Sequence, residues 1–168
     1  MKASYAKSKI VTDLSRTNHM ESRMNQRGVS QQLVDLTLAL GVPRHNGRVE
    51  LSIRLIEWHL QELDYCLNNV CSNQLKSKLK AQSVLPIMGS ELRLPEFMED
   101  RIDIEWRVAD SAEMLYLDSG RHKVLIKMLM EWRSSLIKAR DKKGIVVVVE
   151  EDTLLTTYAN PENLGWNR

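Results

Sequence analysis

Residues 145–158 read IVVVVEEDTLLTTY and carry the clearest β signal in the chain. Residues 145–149 form an unbroken β-branched run, which is typical of a strand that is buried on both faces. An acidic turn follows, and residues 154–158 then provide the apolar and hydroxyl-bearing positions of a second strand. The stretch therefore predicts a β-hairpin close to the end of the sequence.

A third strand is predicted upstream, after a turn at Asn46 and Gly47. There Val49, Leu51 and Ile53 alternate with polar residues, which is the period of two of a half-buried strand. Three strands are the minimum for a sheet that is stable by itself, so the hairpin and this strand predict a small antiparallel sheet.

Two short helices are predicted before that sheet. The first begins with Thr17 or Asn18 as its N-cap and ends at Gly28, a residue that adopts the left-handed conformation at low cost. The second begins after Ser30, has an apolar stripe at helical spacing and ends at Gly41.

Longer elements lie between the third strand and the hairpin. Residues 53–70 and 121–140 carry apolar positions three and four apart, which predicts two amphipathic helices that pack against each other. Residues 82–95 contain two prolines and a glycine without a sustained period and indicate a loop. Residues 101–108 alternate like a strand but lie among helix-forming acids, so both structures remain open there.

The resulting prediction is an α+β chain with a discontinuous core and a large helical insertion. The core takes residues 18–53 and 144–160, and the insertion takes 54–143. Residues 1–17 are predicted to be a flexible lead-in, and residues 161–168 to be a short tail.

Composition excludes several classes of protein. The chain has 43% hydrophobic and 27% charged residues, and no run approaches the ~20 apolar residues that cross a bilayer. The first residues lack the apolar segment of a signal peptide, so we expect a soluble cytoplasmic protein without membrane contact. Cys66 and Cys71 have neither a zinc-site spacing nor a useful disulfide spacing, and we expect free thiols, no metal and no cofactor. The sequence also has no phosphate-binding glycine loop and no serine-hydrolase elbow.

The net charge of +2 conceals a segregation of charge along the chain. Residues 1–30 carry six basic and two acidic residues, giving +4, and residues 121–143 carry eight and two, giving +6. Residues 91–118 between them carry three and nine, giving −6. This pattern fits a masked nucleic-acid surface, acids that imitate phosphate in a partner's groove, or ordinary intramolecular ion pairs.

Three separate pieces of the sequence resemble one known domain family. HMESRMNQRGVS at residues 19–30, GRVEL at 47–51 and GIVVVVEEDTLLTTY at 144–158 resemble a family of unknown function found often in phages and plasmids. Its members begin with His-x-x-x-Arg-x-x-x-Arg-Gly-Ile-Ser and end with a valine-rich hairpin closing in Thr-x-Tyr. That family is similar in layout to the RelE, barnase and EndoU group of small ribonucleases, which includes toxins of toxin–antitoxin systems. The resemblance covers residues 18–51 and 144–158 and implies a RelE-like fold with RNA as the substrate class.

The first helix carries the residues of greatest chemical interest. His19, Arg23 and Arg27 are four apart, so they follow one edge of the helix. RNA cleavage without a metal needs a base, an acid and cationic groups that hold phosphate oxygens. Histidine can perform either proton transfer near neutral pH, and guanidinium groups bind phosphate in a bidentate manner. We therefore expect His19 to act as acid or base and the two arginines to hold phosphate.

Further partners are predicted in the turn before the third strand and on the last strand, where hydroxyl groups could position a phosphate. They are Arg44, His45, Arg48, Thr156, Thr157 and Tyr158, of which we assign Tyr158 to the catalytic set with His19 and Arg23.

Two less specific interpretations stand beside this one. The motif can be a solvated helix face whose arginines pair with acids of the insertion. The protein can also be a non-enzymatic interaction module or inhibitor of phage or plasmid type that acts through its acidic helical insertion. RNA binding predicts His19, Arg23 and Tyr158 around one cleft, whereas an interaction module predicts an exposed apolar patch on the insertion, with Trp106 or Trp132 as candidates.

Overall fold

The chain has an α+β fold, seen in a computed structural model that describes residues 14–92, 94–95, 106–109 and 111–159. The described residues within Met1–Trp58 and Ser135–Arg168 form one compact unit, and those within His59–Ser134 form the other. The helices are α1 (Asn18–Arg27), α2 (Gln31–Leu40), α3 (Ile53–Val70), α4 (Asn73–Ala81) and α5 (Ser119–Asp141). The strands are β1 (Ser15–Arg16), β2 (Val42–Arg44), β3 (Arg48–Leu51), β4 (Leu85–Met88), β5 (Trp106–Ala109), β6 (Ala112–Leu117), β7 (Ile145–Glu150) and β8 (Thr153–Ala159). The boundaries of the two units fall inside α3 and α5.

The first unit contains a five-stranded sheet in the order β1-β8-β7-β3-β2. The predicted hairpin is β7 and β8, and the predicted third strand is β3, which pairs with β7 in antiparallel register. Ile145, Val146 and Val147 are consecutive and all buried. The prediction that this strand is buried on both faces is therefore confirmed for residues 145–147, whereas Val148 and Val149 are only half-buried.

The two N-terminal helices lie where their caps predict. Thr17 accepts a hydrogen bond from the Met20 amide at the start of α1, and Gly28 ends the helix with a φ of 58°. Ser30 occupies the N-cap position of α2 with an extended backbone. α1 packs on β8, and α2 packs on β7 and β3. The buried Met20 and the other apolar positions of these helices thus complete the core over the sheet.

The edges of this sheet contain two strands that the sequence did not reveal. Ser15 and Arg16, which we expected in the flexible lead-in, pair in parallel with Thr153 and Leu154 of β8. β2 pairs with β3 across the turn, although it is fully exposed and contains a proline. A proline is tolerated in such an edge strand because one side of its backbone faces solvent.

The second unit combines helices with a three-stranded antiparallel sheet in the order β4-β6-β5. α3 and α5 contact each other, since Arg133 Nε donates to Asp64 Oδ1 at 2.6 Å and a His122 ring nitrogen lies 2.7 Å from the Val70 carbonyl oxygen. Two predicted helices, 53–70 and 121–140, are thus confirmed with small changes at the ends of the second.

The insertion is less purely helical than predicted. β4 lies within the expected loop of residues 82–95, and neither α4 nor β6 was predicted. Residues 106–109 form a strand, while residues 101–105 lie outside the described residues. His122 on the basic helix α5 is 7% exposed, because its ring packs at the end of α3. Among the described residues no helix has the length and hydropathy of a membrane span.

Candidate functional site

The exposed edge of α1 carries the first pair of predicted site residues. His19 is exposed and Arg23 is half-buried, whereas Met20 and Met24 between them are buried. Arg23 Nε lies 3.4 Å from His19 Nε2 and donates to it, and a second guanidinium nitrogen donates to Gln26 at 3.2 Å. A ring nitrogen accepts a hydrogen bond only while it carries no proton, so this contact requires an imidazole whose Nε2 is unprotonated. The helix thus separates a polar edge from an apolar one, as its spacing predicts.

Arg27, one turn further along α1, is attached to the last strand. Its Nη1 donates to the Thr157 carbonyl at 2.8 Å, and its guanidinium carbon lies 4.5 Å from the centroid of the Tyr158 ring. A guanidinium stacked on an aromatic face is a favourable cation–π arrangement. These contacts use one of the five N–H donors of Arg27, so the group combines an anchoring role with remaining donor capacity.

Lys142, which no motif in the sequence singles out, fixes the end of α1. Lys142 Nζ donates to the Arg27 carbonyl at 3.1 Å. A cation at this position stabilises the helix C-terminus, where unpaired carbonyl groups give a partial negative charge. Lys142 lies in a basic run more than 100 residues after α1, and nothing in the sequence indicates that the two are in contact.

One face of the five-stranded sheet collects residues from three distant segments. Arg44 lies opposite Arg48, Arg48 opposite Val148, and Val148 opposite Thr156. Directly paired residues of antiparallel strands point to the same face, so these side chains form one row across four strands. Tyr158 is two residues beyond Thr156 on β8 and therefore lies on the same face.

This surface, which we call the basic sheet face, consists of Arg44, Arg48, Glu50, Thr156 and Tyr158. Glu50 Oε2 accepts from Arg44 Nε at 3.1 Å, in a pair that is partly open to solvent. Two arginines and one glutamate leave a local charge of +1. Such an exposed pair restrains the Arg44 side chain only weakly, because surface ion pairs contribute little free energy.

His45 lies at the tip of the turn between β2 and β3 and is exposed. The turn is defined by Asn46 and Gly47, whose φ angles are 60° and 66°, and its Gly47 carbonyl accepts from the Val149 amide at 2.7 Å. Bonding to β7 gives the turn a fixed position beside the basic sheet face.

Thr157 does not belong to the site that we predicted for it. It is completely buried on the opposite face, and its hydroxyl donates to the Val146 carbonyl at 3.1 Å. Residues 156 and 158 therefore remain as the candidates on the last strand, because adjacent residues of a strand point to opposite faces.

The predicted residues thus form three local groups. His19 contacts Arg23, Arg27 stacks on Tyr158, and Arg44, Arg48 and Thr156 share one row of the sheet. His19 and Arg27 are eight residues apart on one helix, which separates them by about 12 Å along its axis. This spacing suits successive contacts to an extended polyanion better than two proton transfers at one phosphodiester.

The buried Cys66 does not offer an alternative nucleophile. Burial, together with the nearby Cys71, raises the pKa of Cys66 to about 12. At neutral pH Cys66 therefore remains a buried thiol, whereas nucleophilic attack requires the thiolate.

No family model, curated protein or solved structure matches the chain. The resemblance to the phage and plasmid domain family stays a prediction that rests on the motifs alone.

Proposed function

We propose that the protein binds RNA through the basic sheet face and the adjoining edge of α1. The observation that carries the proposal is the convergence of basic and aromatic residues from β2, β3, β8 and α1. Arg44 and Arg48 share a sheet face with Tyr158, and Arg27 stacks on that tyrosine. Arginines that track a backbone and an aromatic ring that can stack on a base are the usual components of a single-strand binding surface.

Single-stranded RNA fits this arrangement better than a duplex. The basic residues lie on a sheet and along one helix edge, and successive phosphates of an extended strand could contact them in turn. Tyr158 is half-buried, which favours stacking of an end or an unpaired base over insertion into a helix. His45 and Thr156 would add contacts to phosphate or ribose.

Metal-independent RNA cleavage is the more specific form of this proposal. In that reaction His19 would either accept the proton of the attacking ribose 2′-hydroxyl or donate a proton to the leaving 5′-oxygen. Arg23 would hold the phosphate, and Tyr158 would contribute its hydroxyl. The Arg23–His19 hydrogen bond supports it, because it orients the imidazole with an unprotonated nitrogen. Cleavage also requires that a bound strand bring one phosphodiester within reach of both α1 and β8. Binding is therefore the part that the geometry favours first.

The proposal extends to the setting of the protein. A RelE-like arrangement is supported by two short helices followed by the antiparallel strands β2, β3, β7 and β8, of which the last two form a valine-rich hairpin. Two free cysteines fit the reducing cytoplasm, where a toxin-type ribonuclease would meet its RNA.

The test is binding and cleavage of a fluorescent RNA pool with single-stranded and structured members, in EDTA and at several salt concentrations. We expect Arg48→Gln to weaken binding about tenfold and to lower the slope of log K against log salt by about 0.7, the loss of one single-strand phosphate contact. Arg54→Gln is the matched control, because Arg54 is an exposed arginine of the same unit on α3. It should change binding less than twofold.

The same assay separates binding from chemistry. If the unmodified protein cleaves and His19→Ala binds without cleaving, His19 is the proton-transfer group. If RNA binds but remains intact, the cleavage form fails and the binding form stands. If RNA does not bind at low salt, or if Arg54→Gln weakens binding as much as Arg48→Gln, the proposed surface is wrong.

A further inference from the structure

The long helix α5 presents two faces of different character. Leu125, Leu129 and Leu136 are completely buried on its inner face. The opposite side, which we call the α5 outer face, lines a shallow groove of about 440 Å³. It consists of Lys123, Ile126, Lys127, Met130, Glu131 and Ser134, all within the second unit.

The centre of the α5 outer face is apolar although it is open to solvent. Met130 is 59% exposed, and Ile126 beside it is half-buried. Met130 is therefore not part of the core that the described residues form. Residues four apart lie one above the other on a helix, so these two side chains form a continuous apolar stripe. A flexible methionine is well suited to packing against a partner surface.

Two lysines lie along this stripe and determine the charge of its rim. Lys127 Nζ is 3.9 Å from Glu131, with 78% and 57% of the two side chains exposed, so this pair is weak and easily exchanged. Lys123 is also exposed and lies one turn before Lys127. Two lysines and one glutamate give the face a net charge of +1.

We propose that the α5 outer face binds an acidic amphipathic helix of another protein. A helix of that kind would lay its apolar stripe along Ile126 and Met130 and place its carboxylates beside Lys123 and Lys127. This is the helix-in-groove mode of recognition, in which apolar positions at i, i+3, i+4 and i+7 anchor the partner. The proposal does not depend on RNA binding, because it uses a different unit and different residues.

Charge selects this occupant over the alternatives. A second copy of the chain would bring the same net +1 to the contact, whereas an acidic helix complements both lysines. RNA recognition at a surface favours arginine and aromatic side chains, and this face offers lysine and aliphatic ones instead. The proposed surface differs from that of the interaction module considered from the sequence, which would act through the acidic residues of the insertion.

The experiment uses two fluorescein-labelled helical peptides of 18 residues and the full chain. Both peptides carry the same leucine stripe, flanked in one by glutamates and in the other by lysines, and binding is measured by fluorescence anisotropy. We expect the acidic peptide to bind at least about tenfold more tightly, as expected when two surface charge pairs are exchanged for two repulsions. Raising the salt concentration should reduce that difference.

Variants of the chain locate the contact. Lys123→Glu combined with Lys127→Glu should weaken binding of the acidic peptide at least about tenfold, and Met130→Ser should weaken binding of both peptides. Lys76→Glu on α4 and Val108→Ser on β5 are the controls, since each is an exposed residue of the same unit outside the α5 outer face. They should leave binding within about twofold.

Several results would overturn the proposal. Equal binding of the two peptides, or binding that is insensitive to the lysine and methionine changes, removes the assigned surface. A dimer in sedimentation equilibrium that Met130→Ser dissociates would identify a second copy as the occupant. Displacement of the acidic peptide by a single-stranded RNA that itself requires Lys123 and Lys127 would identify a nucleic-acid surface instead.

Discussion

The two sheets differ in how their central strands are buried. In β7, three consecutive residues are buried, so that part of the five-stranded sheet is covered on both faces. In β6, the central strand of the three-stranded sheet, Leu115 and Leu117 are buried, while the alternating residues Met114 and Tyr116 are only half-buried. A strand segment that is covered on both faces tolerates polar substitution on neither, whereas half-buried positions such as Val148 on β7 and Met114 on β6 can carry function or variation.

The largest expected effect tests this difference with one substitution placed in both sheets. Val146→Asp would put a carboxylate at a position that is 6% exposed on β7, and we expect it to lower the free energy of unfolding by at least about 4 kcal/mol. Met114→Asp on β6 should cost about 1 kcal/mol or less, because Met114 is half-buried and lies opposite Arg107. Urea unfolding followed by circular dichroism measures both. Equal costs would show that the two central strands are buried alike.

A second prediction concerns the turn that holds β2 and β3 against β7. Gly47 has a φ of 66°, and an added Cβ would lie against the Val149 carbonyl oxygen. Gly47→Ala should therefore lower the free energy of unfolding by about 2 kcal/mol or more, since both the backbone strain and the contact with a neighbouring strand are unfavourable. Gly120→Ala is the control, because its Cβ would meet only the side chain of Asp118. The expectation fails if thermal unfolding shows similar midpoints for the two variants.

Much of the first unit could be predicted because its signals are local. Thr17 and Gly28 define the ends of α1, and the β-branched run from Ile145 onward defines β7. β2 was not predicted because all three of its residues are exposed and one of them is Pro43, a residue type that usually indicates the absence of a strand. β1 was not predicted because two residues are too few to show an alternation of apolar and polar side chains. Only its pairing with β8 makes it a strand.

The second unit was harder to predict for the same physical reason. β4 contains Pro86 and one buried residue, Ile87, so its sequence resembles a loop. α4 is lysine-rich and buries only Leu79, although Ser72 does cap it as its sequence allows. Elements that bury one side chain leave little hydrophobic periodicity, and tertiary contacts decide their structure.

The candidate site was predictable in its components but not in its grouping. Helical spacing places His19, Arg23 and Arg27 on one edge, and the structure has that edge. The stacking of Arg27 on Tyr158 depends on how α1 packs on β8, a contact between segments about 130 residues apart. Thr157 was assigned to the wrong face of its strand, because it is buried in the structure. Successive side chains of a strand point to opposite faces, so the sequence must place a residue without an error of even one position to predict which hydroxyl faces solvent.

The smallest expected effect is a stabilisation in the turn between β5 and β6. Gly47 serves the turn of the first sheet, but the corresponding turn of the second sheet uses Ser111 at a φ of 66°. A side chain at such an angle is strained, and glycine relieves the strain while it loses more backbone entropy on folding. The relief outweighs the entropy where φ is positive, so Ser111→Gly should raise the free energy of unfolding by about 0.5 kcal/mol. Hydrogen exchange of the β6 amides would slow accordingly, while exchange in β7 should stay the same. Faster exchange in β6 would mean that the serine side chain stabilises the turn by more than its backbone strain costs.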